Sequence, residues 1–388
     1  MTKKTQTTTN GKLSIAELRS MINRKAGTEV SFDLLESNPT EVTEWIPTGS
    51  DVLNSIICRG KKAGIPVGRI SELAGIEGSG KSFYAAQIAS NAQKMGITVV
   101  YFDSESALDP EFLKKAGCDV SSILYTQATS IEFVMETIEE LLGSPDADRF
   151  LFILDSFAFT PCKTDLEGDF NPQSSMAMKP RIMSKGLSKI IQPIANKRST
   201  FLVLNQLKQN IVVGQNAHVE MMINPWITSG GRALSYSYSL RVWLTPKKSK
   251  ASYIVSETGF RIGSETKCVI KKSRFGTEGR ECSLKLLWGG ETIKVSDDEA
   301  WLDILTTRSN RVVKSGHGYI VKLLDGKERK FKSATFAEDL NDPDFRATVQ
   351  SIVDEEMITK FDKQTGSASS FYDIDRAKQV EEESESAK

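Results

Sequence analysis

Arg69-Ile70-Ser71-Glu72-Leu73-Ala74 runs directly into Gly75-Ile76-Glu77-Gly78-Ser79-Gly80-Lys81-Ser82. The first six residues read as a short strand, and the spacing of Ala85, Ile88, Ala89 and Ala92 predicts a helix over Ser82–Met95. Between them stands G-x-x-x-x-G-K-[ST], in the strand–loop–helix context that a phosphate-binding loop requires. Its glycines let the backbone close on phosphate oxygens, so that main-chain N–H groups and the helix N-terminus hold the negative charge. Lys81 is expected to reach the β- and γ-phosphates of ATP, and the Ser82 hydroxyl to ligate Mg²⁺. The alternative, a plain glycine-rich turn before a helix, does not account for the complete motif.

Outward from this loop, short apolar runs alternate with helical spacing. Strands are expected at Ile97–Phe102, Phe150–Leu154, Phe201–Leu204, Ser239–Leu244, Lys267–Lys271 and Ser283–Leu287, and helices over Ile131–Leu142 and Ile182–Ala195. This alternation implies an α/β fold with a mainly parallel, doubly wound sheet. The last strands follow one another with little helix between them, so that end of the sheet is expected to be antiparallel. Before the core, Ser14 with Glu17 three residues on marks the start of a helix to Lys25. The expected organisation is an N-terminal helix and arm over 1–44, a core over 45–296, a small mixed unit over 297–370, and a disordered acidic tail over 371–388.

Composition narrows the function classes. The 388 residues include 39% hydrophobic and 26% charged, with no apolar run of membrane-spanning length, so a cytoplasmic protein is expected. Five scattered cysteines without a C-x-x-C pair read as reduced thiols, and two distant histidines, His218 and His317, argue against a His-based metal site or a Ser-His-Asp triad. Net charge is zero, yet six basic and two acidic residues occupy 1–30, and six acidic and three basic follow Phe371. Nucleic-acid binding would therefore use a local groove rather than the whole surface.

Two further segments carry chemistry. Phe150-Leu151-Phe152-Ile153-Leu154-Asp155 is an apolar strand ending in an acid, placed to orient Mg²⁺. The strand before Asp103-Ser104-Glu105 delivers a second carboxylate to the same sheet edge, where Glu105 can polarise the water that attacks the γ-phosphate.

At this point a resemblance becomes specific. Ala63-Gly64-Ile65-Pro66-Val67-Gly68-Arg69-Ile70 before the phosphate loop and Asp103-Ser104-Glu105-Ser106-Ala107-Leu108-Asp109-Pro110 after it resemble the bacterial RecA recombinase family. The likeness continues through Asp155-Ser156, Leu166-Glu167-Gly168-Asp169, Leu204-Asn205-Gln206 and Thr228-Ser229-Gly230-Gly231-Arg232-Ala233-Leu234, and ends at Gly263-Ser264-Glu265-Thr266. It covers roughly residues 45–290; the diverged ends and acidic tail look more like the phage recombinases of the UvsX type, which would place the protein in a host cytoplasm.

The resemblance implies a RecA-like ATPase core and a set of roles. Glu105 falls on the family's catalytic glutamate, Phe112 where an aromatic stacks on adenine, and Gln206 on the glutamine that senses the γ-phosphate. Lys272 and Arg274 match the cations that reach ATP from a neighbouring subunit. Two long segments, Glu167–Arg181 and Gln206–Gly231, would face DNA, with Lys179, Arg181, Lys208, Met221, Trp226, Gly230, Gly231 and Arg232 as contacts. The implied activity is DNA recombination and repair by strand exchange. A helical homo-oligomer on single-stranded DNA would take up double-stranded DNA, carry ATP between subunits, and work with single-strand-binding and mediator proteins. A hexameric helicase or ring ATPase on the same fold, and a non-catalytic regulatory paralogue, are the rival readings.

Overall fold

The computed structural model describes residues 13–36, 38–144, 149–167, 178–211, 219, 221–222, 225–246 and 253–362. They fall into two compact units, with the boundary in sequence between Thr43 and Glu44. The expected tail over 371–388, the first twelve residues, His218 and much of both expected DNA segments lie outside the described residues.

In the first unit, helix α1 (Ile15–Ala26) begins as the sequence dictates. Ser14 Oγ accepts from Glu17 N at 3.2 Å and Glu17 Oε2 accepts from Ser14 N at 2.8 Å, closing a capping box. Gly27 ends the helix in a left-handed turn, and Asn23 Oδ1 accepts from Val30 N and Ser31 N to fold the following chain back.

The second unit runs β1 (Trp45–Ile46), α2 (Asp51–Ile57), β2 (Ile65–Pro66), β3 (Ile70–Gly75), α3 (Lys81–Lys94), β4 (Thr98–Asp103), α4 (Pro110–Lys115), β5 (Ile123–Gln127) and α5 (Ile131–Gly143). It continues through β6 (Phe150–Asp155), α6 (Lys163–Glu167), α7 (Met178–Asn196), β7 (Thr200–Gln209), β8 (Trp226–Thr228), α8 (Gly231–Ser237), β9 (Leu240–Pro246), β10 (Tyr253–Val255), β11 (Arg261–Ser273) and β12 (Glu281–Leu287). Then come β13 (Lys294–Ser296), α9 (Asp298–Thr307), β14 (Val312–Ser315), β15 (Gly318–Lys322), β16 (Glu328–Phe331), α10 (Phe336–Asp339) and α11 (Pro343–Asp354).

The central sheet has the order β13-β12-β11-β9-β3-β7-β6-β4-β5. From β9 to β5 the pairings are parallel, and from β9 to β13 they are antiparallel, as the crowding of late strands implied. Central parallel strands are covered on both faces and therefore read as continuous apolar runs: Val99, Val100, Phe102, Leu151, Phe152, Ile153, Leu202 and Val203 are buried. One face packs on α3 through Leu73, Ala85, Ala89 and Leu204; the other packs on α5 and α7 through Ile70, Phe152, Ile138 and Leu187.

Residues 298–362 form helices and a three-stranded antiparallel sheet. Their apolar side chains, Trp301, Leu305, Phe331, Phe345 and Ile352, are continuous with the α3-side core, so the pattern reset marks a change of elements rather than a break in packing. The seam is Asp297, whose carboxylate accepts from Ser50 Oγ at 2.5 Å and Asp51 N at 2.6 Å at the start of α2. No helix among the described residues is long and apolar enough to cross a membrane. All five cysteines are free.

Candidate functional site

Parallel strands end together, so β3, β4, β6 and β7 deliver Gly75, Asp103, Asp155 and Gln206 to one sheet edge. Asp103 pairs in register with Asp155, and Gly75 with Gln206. The carboxyl edge of such a sheet is where ligands bind.

The phosphate loop connects β3 to α3 here. Gly80 has φ +93°, and a Cβ at that position would lie 2.2 Å from Leu286 Cδ1, so only glycine lets the loop close against β12. Thr266 Oγ1 of β11 donates to Ser79 O at 3.2 Å and fixes the loop from the same side. Lys81 Nζ donates to Gly75 O and Ile76 O, each at 3.1 Å, curling over the loop. Burial pushes its pKa down, while the carboxylates of Asp155, Glu105 and Glu77 oppose that shift. Ser79 Oγ is buried without a hydrogen-bond partner, a polar atom the loop leaves for a ligand.

Asp155 Oδ2 accepts from Ser82 Oγ at 2.9 Å and from Tyr101 OH at 2.8 Å. Burial raises its pKa, against the effect of those two bonds. A hydroxyl and a carboxylate in contact form a hard oxygen pair that fits Mg²⁺, which binds proteins through one or two such groups and completes its shell with phosphate and water.

Glu105 is exposed, and its Oε1 accepts from Ser156 Oγ at 2.8 Å. Its loop is firmly built: Asp103 Oδ1 accepts from Glu105 N at 2.9 Å, Asp103 Oδ2 from Leu108 N at 3.1 Å, and Ser104 Oγ donates to Ser156 O at 3.0 Å. Ser106, next in the chain, has φ +52°, a conformation that non-glycine residues adopt rarely and that clusters at functional loops.

A cleft of about 380 Å³ opens beside the loop, lined by Gly80, Lys81, Phe112, Arg261 and Trp288 among others. Phe112 lies edge-on to Phe83 at 6.1 Å. Trp288 and Arg261 were not singled out from the sequence, because no motif marks them; strand pairing brings them to the loop.

The chain matches the family described as the RecA N-terminal domain over residues 14–293. This chain belongs to the RecA family. It is 32% identical over 254 residues to Protein RecA of Ruminococcus albus, covering 66% of this chain and 59% of that protein. It is 31% identical over 289 residues to Protein RecA of Aquifex aeolicus, covering 74% and 77%, and 29% identical over 334 residues to Protein RecA of Acinetobacter baylyi, covering 85% and 88%. The matched stretch thus spans about three fifths of the first of these relatives.

Within this RecA-family chain, the expected DNA-facing residues need local corrections. The segment after Leu204 is not irregular: β7 runs on to Gln209 and pairs antiparallel with β8, setting Lys208 opposite Ile227 and Gln209 opposite Trp226. Lys208 is exposed, Trp226 and Met221 are half-buried, and the side chain of Arg232 lies outside the described residues. Lys179 and Arg181 stand in the first turn of α7 rather than in a loop. Arg181 is exposed, but Lys179 turns inward: its Nζ donates to Ala158 O at 2.8 Å and lies 4.9 Å from the Phe157 ring centre. Its ammonium thus rests on a main-chain carbonyl and an aromatic face of its own protomer.

Lys272, near the end of β11, and Arg274, just past it, lie beside α8. Lys272 Nζ donates to Ser235 O at 2.7 Å and Tyr236 O at 3.2 Å, and Arg274 Nη2 to Tyr236 O at 3.3 Å, where cations complement the carbonyl end of a helix. Burial lowers the Lys272 pKa, and the nearby Arg274 and Arg241 lower it further. A second feature, a buried network beneath the loop, has no local signature in the sequence. Glu72 Oε2 accepts from Arg241 Nε at 2.6 Å, Glu72 Oε1 from Asn205 Nδ2 at 2.9 Å, Asn205 Nδ2 also donates to Ser229 O at 2.9 Å, and Arg241 Nη2 to Thr228 Oγ1 at 2.9 Å. It links the phosphate-loop strand to the segment entering Gly230 and Gly231.

Proposed function

We propose that this RecA-family chain is a DNA-stimulated ATPase that assembles as a helical filament on single-stranded DNA and catalyses homologous pairing and strand exchange. One observation carries the reading: the sheet edge that holds Lys81, Ser82, Asp155 and Glu105 continues, through Gln206 beside Gly75, into the β7–β8 ribbon at the base of the second expected DNA segment. Nucleotide and DNA would thus act on one strand.

Loop N–H groups and Lys81 bind and orient the phosphates of ATP. Ser82 and Asp155 would hold Mg²⁺, which when bound neutralises charge on the phosphates. Glu105, held by the Ser156 hydroxyl, takes the proton of the attacking water. Gln206 faces a two-position choice between the nucleotide side and the ribbon, and so couples the two ligands. Lys272 and Arg274 would leave the α8 carbonyls to reach ATP on a neighbouring subunit, which makes catalysis depend on assembly. Lys179, Arg181, Lys208, Trp226 and Met221 are the described DNA contacts proposed, alongside the Gly230–Arg232 segment. Single-strand-binding and mediator proteins are the proposed partners, and the likeness of the chain's ends to phage recombinases of the UvsX type is a proposal of the same kind.

Electron microscopy of the protein with single-stranded DNA and a non-hydrolysable ATP analogue tests this. A helical filament supports the reading; closed rings favour a helicase, and no ordered assembly favours a regulatory paralogue.

A further inference from the structure

Arg261 begins β11, at the rim of the cleft that holds the phosphate loop. Its guanidinium lies 3.9 Å from the ring centre of Tyr253 and 5.2 Å from that of Trp288, a cation between two aromatic faces. Nε donates to Gly263 O at 3.3 Å, and no carboxylate among the described residues forms an ion pair with the group. A planar cation with most of its N–H donors uncommitted, lining a nucleotide-sized cleft, is available to a ligand.

The backbone prevents Arg261 and Trp288 from drifting apart. Ile262 O accepts from Trp288 N at 2.9 Å and Gly289 N at 3.2 Å, and a Cβ on Gly289 would stand 2.4 Å from the Ile262 side chain. The wall bearing both residues is in turn fixed to the phosphate loop through Leu286 under Gly80 and Thr266 on Ser79. Phosphate site and ring site therefore keep a constant separation, as a ligand with a phosphate chain at one end and a flat ring at the other requires.

The geometry points to Arg261 as a positioning residue for the base: clamped by Tyr253, it holds the Trp288 ring for stacking and sets N–H donors at the base end of the cleft. Such donors can meet N7 on the purine edge where cytosine presents only its N4 amino donor, so the residue favours ATP over CTP. The inference rests on the nucleotide reading above.

The test is equilibrium titration of the full chain with a fluorescent ATP analogue, together with steady-state hydrolysis of ATP and CTP. Arg261→Ala is expected to weaken analogue binding and raise KM for ATP about five- to ten-fold, with kcat within about two-fold and the ATP-over-CTP preference reduced by a similar factor, the scale of one cation–π contact. Arg261→Lys, which keeps charge without the planar fork, recovers part of the loss, and Tyr253→Ala reproduces it. Unchanged KM and base preference in Arg261→Ala would overturn the proposal. So would a fall in melting temperature with binding intact, which would make the stack merely structural. Absence of binding by the wild type, indistinguishable from Lys81→Ala, would overturn the nucleotide reading as well.

Discussion

Arg241→Ala takes the cation away from a carboxylate that has almost no water. Glu72 is 1% exposed and Arg241 11%, and their strands pair parallel with the two residues directly in register. The pair is thus built into the sheet, and Glu72 cannot swing out to solvent. Asn205 still donates one hydrogen bond to it, but one neutral amide does not replace a 2.6 Å charge-assisted bond. Removing one partner of a buried pair costs about 3–5 kcal/mol, and in a unit of this size that lowers the melting temperature by on the order of 10 °C. The substitution also frees Thr228, so stimulation of ATPase activity by single-stranded DNA should fall more than basal hydrolysis. Calorimetry on wild type, Arg241→Ala, Glu72→Gln and the double variant isolates the cause. Glu72→Gln placed on Arg241→Ala should restore most of the lost stability, because the orphaned charge is gone. A melting point for Arg241→Ala within about 2 °C of wild type, or a double variant no better than the single, would refute this reasoning.

Glu105→Gln should keep ATP and DNA binding while hydrolysis falls by about 10²-fold or more, the scale of general-base catalysis; failure to bind ATP in a titration would make Glu105 structural instead. Gln206→Ala should still bind ATP but lose most of the stimulation by single-stranded DNA, and equal stimulation in both proteins would end the coupling idea. Arg274→Ala mixed with Glu105→Gln should recover ATPase activity that neither has alone, since some interfaces then pair an intact Glu105 with a neighbour's intact Arg274; no recovery in confirmed mixed filaments counts against action across the interface. Asp297, whose carboxyl is raised to about 6 against 3.8 unfolded, chiefly by burial and partly by the Asp51 charge, with the hydrogen bonds from Ser50 and Asp51 opposing the rise, binds its proton more tightly when folded. Its contribution to stability is therefore present below about pH 4 and lost as pH rises through 6, so wild type should lose roughly 2–3 kcal/mol relative to Asp297→Asn over that window in urea melts. A difference independent of pH would show that Asp297 does not titrate there.

What the sequence made legible was local. Gly75–Ser82 carries its chemistry in eight consecutive residues, and β3, β4 and β6 announce themselves as apolar runs ending at Gly75, Asp103 and Asp155. The Ser14–Glu17 box was visible for the same reason. What stayed hidden depends on pairing between distant strands: Glu72 and Arg241 are 169 residues apart, and Trp288 reaches the phosphate loop only because Leu286 packs under Gly80. β8 escaped notice because three residues carry no period, and without it the extension of β7 past Leu204 looked like loop. Lys179 shows a further limit: nothing in the sequence of the Glu167–Arg181 segment signals that its ammonium rests on Ala158 O.

Homologous strand exchange driven by ATP use on this sheet edge, as proposed above, is read out by a fluorescence strand-exchange assay. Protein assembled on a single-stranded oligonucleotide with Mg²⁺ and ATP is mixed with a labelled duplex that is either homologous or unrelated. Wild type should displace the labelled strand from the homologous duplex only, and Lys81→Ala from neither. Displacement from both duplexes alike would indicate unwinding without pairing, and no displacement from a filament that hydrolyses ATP would show that the protein does not exchange strands.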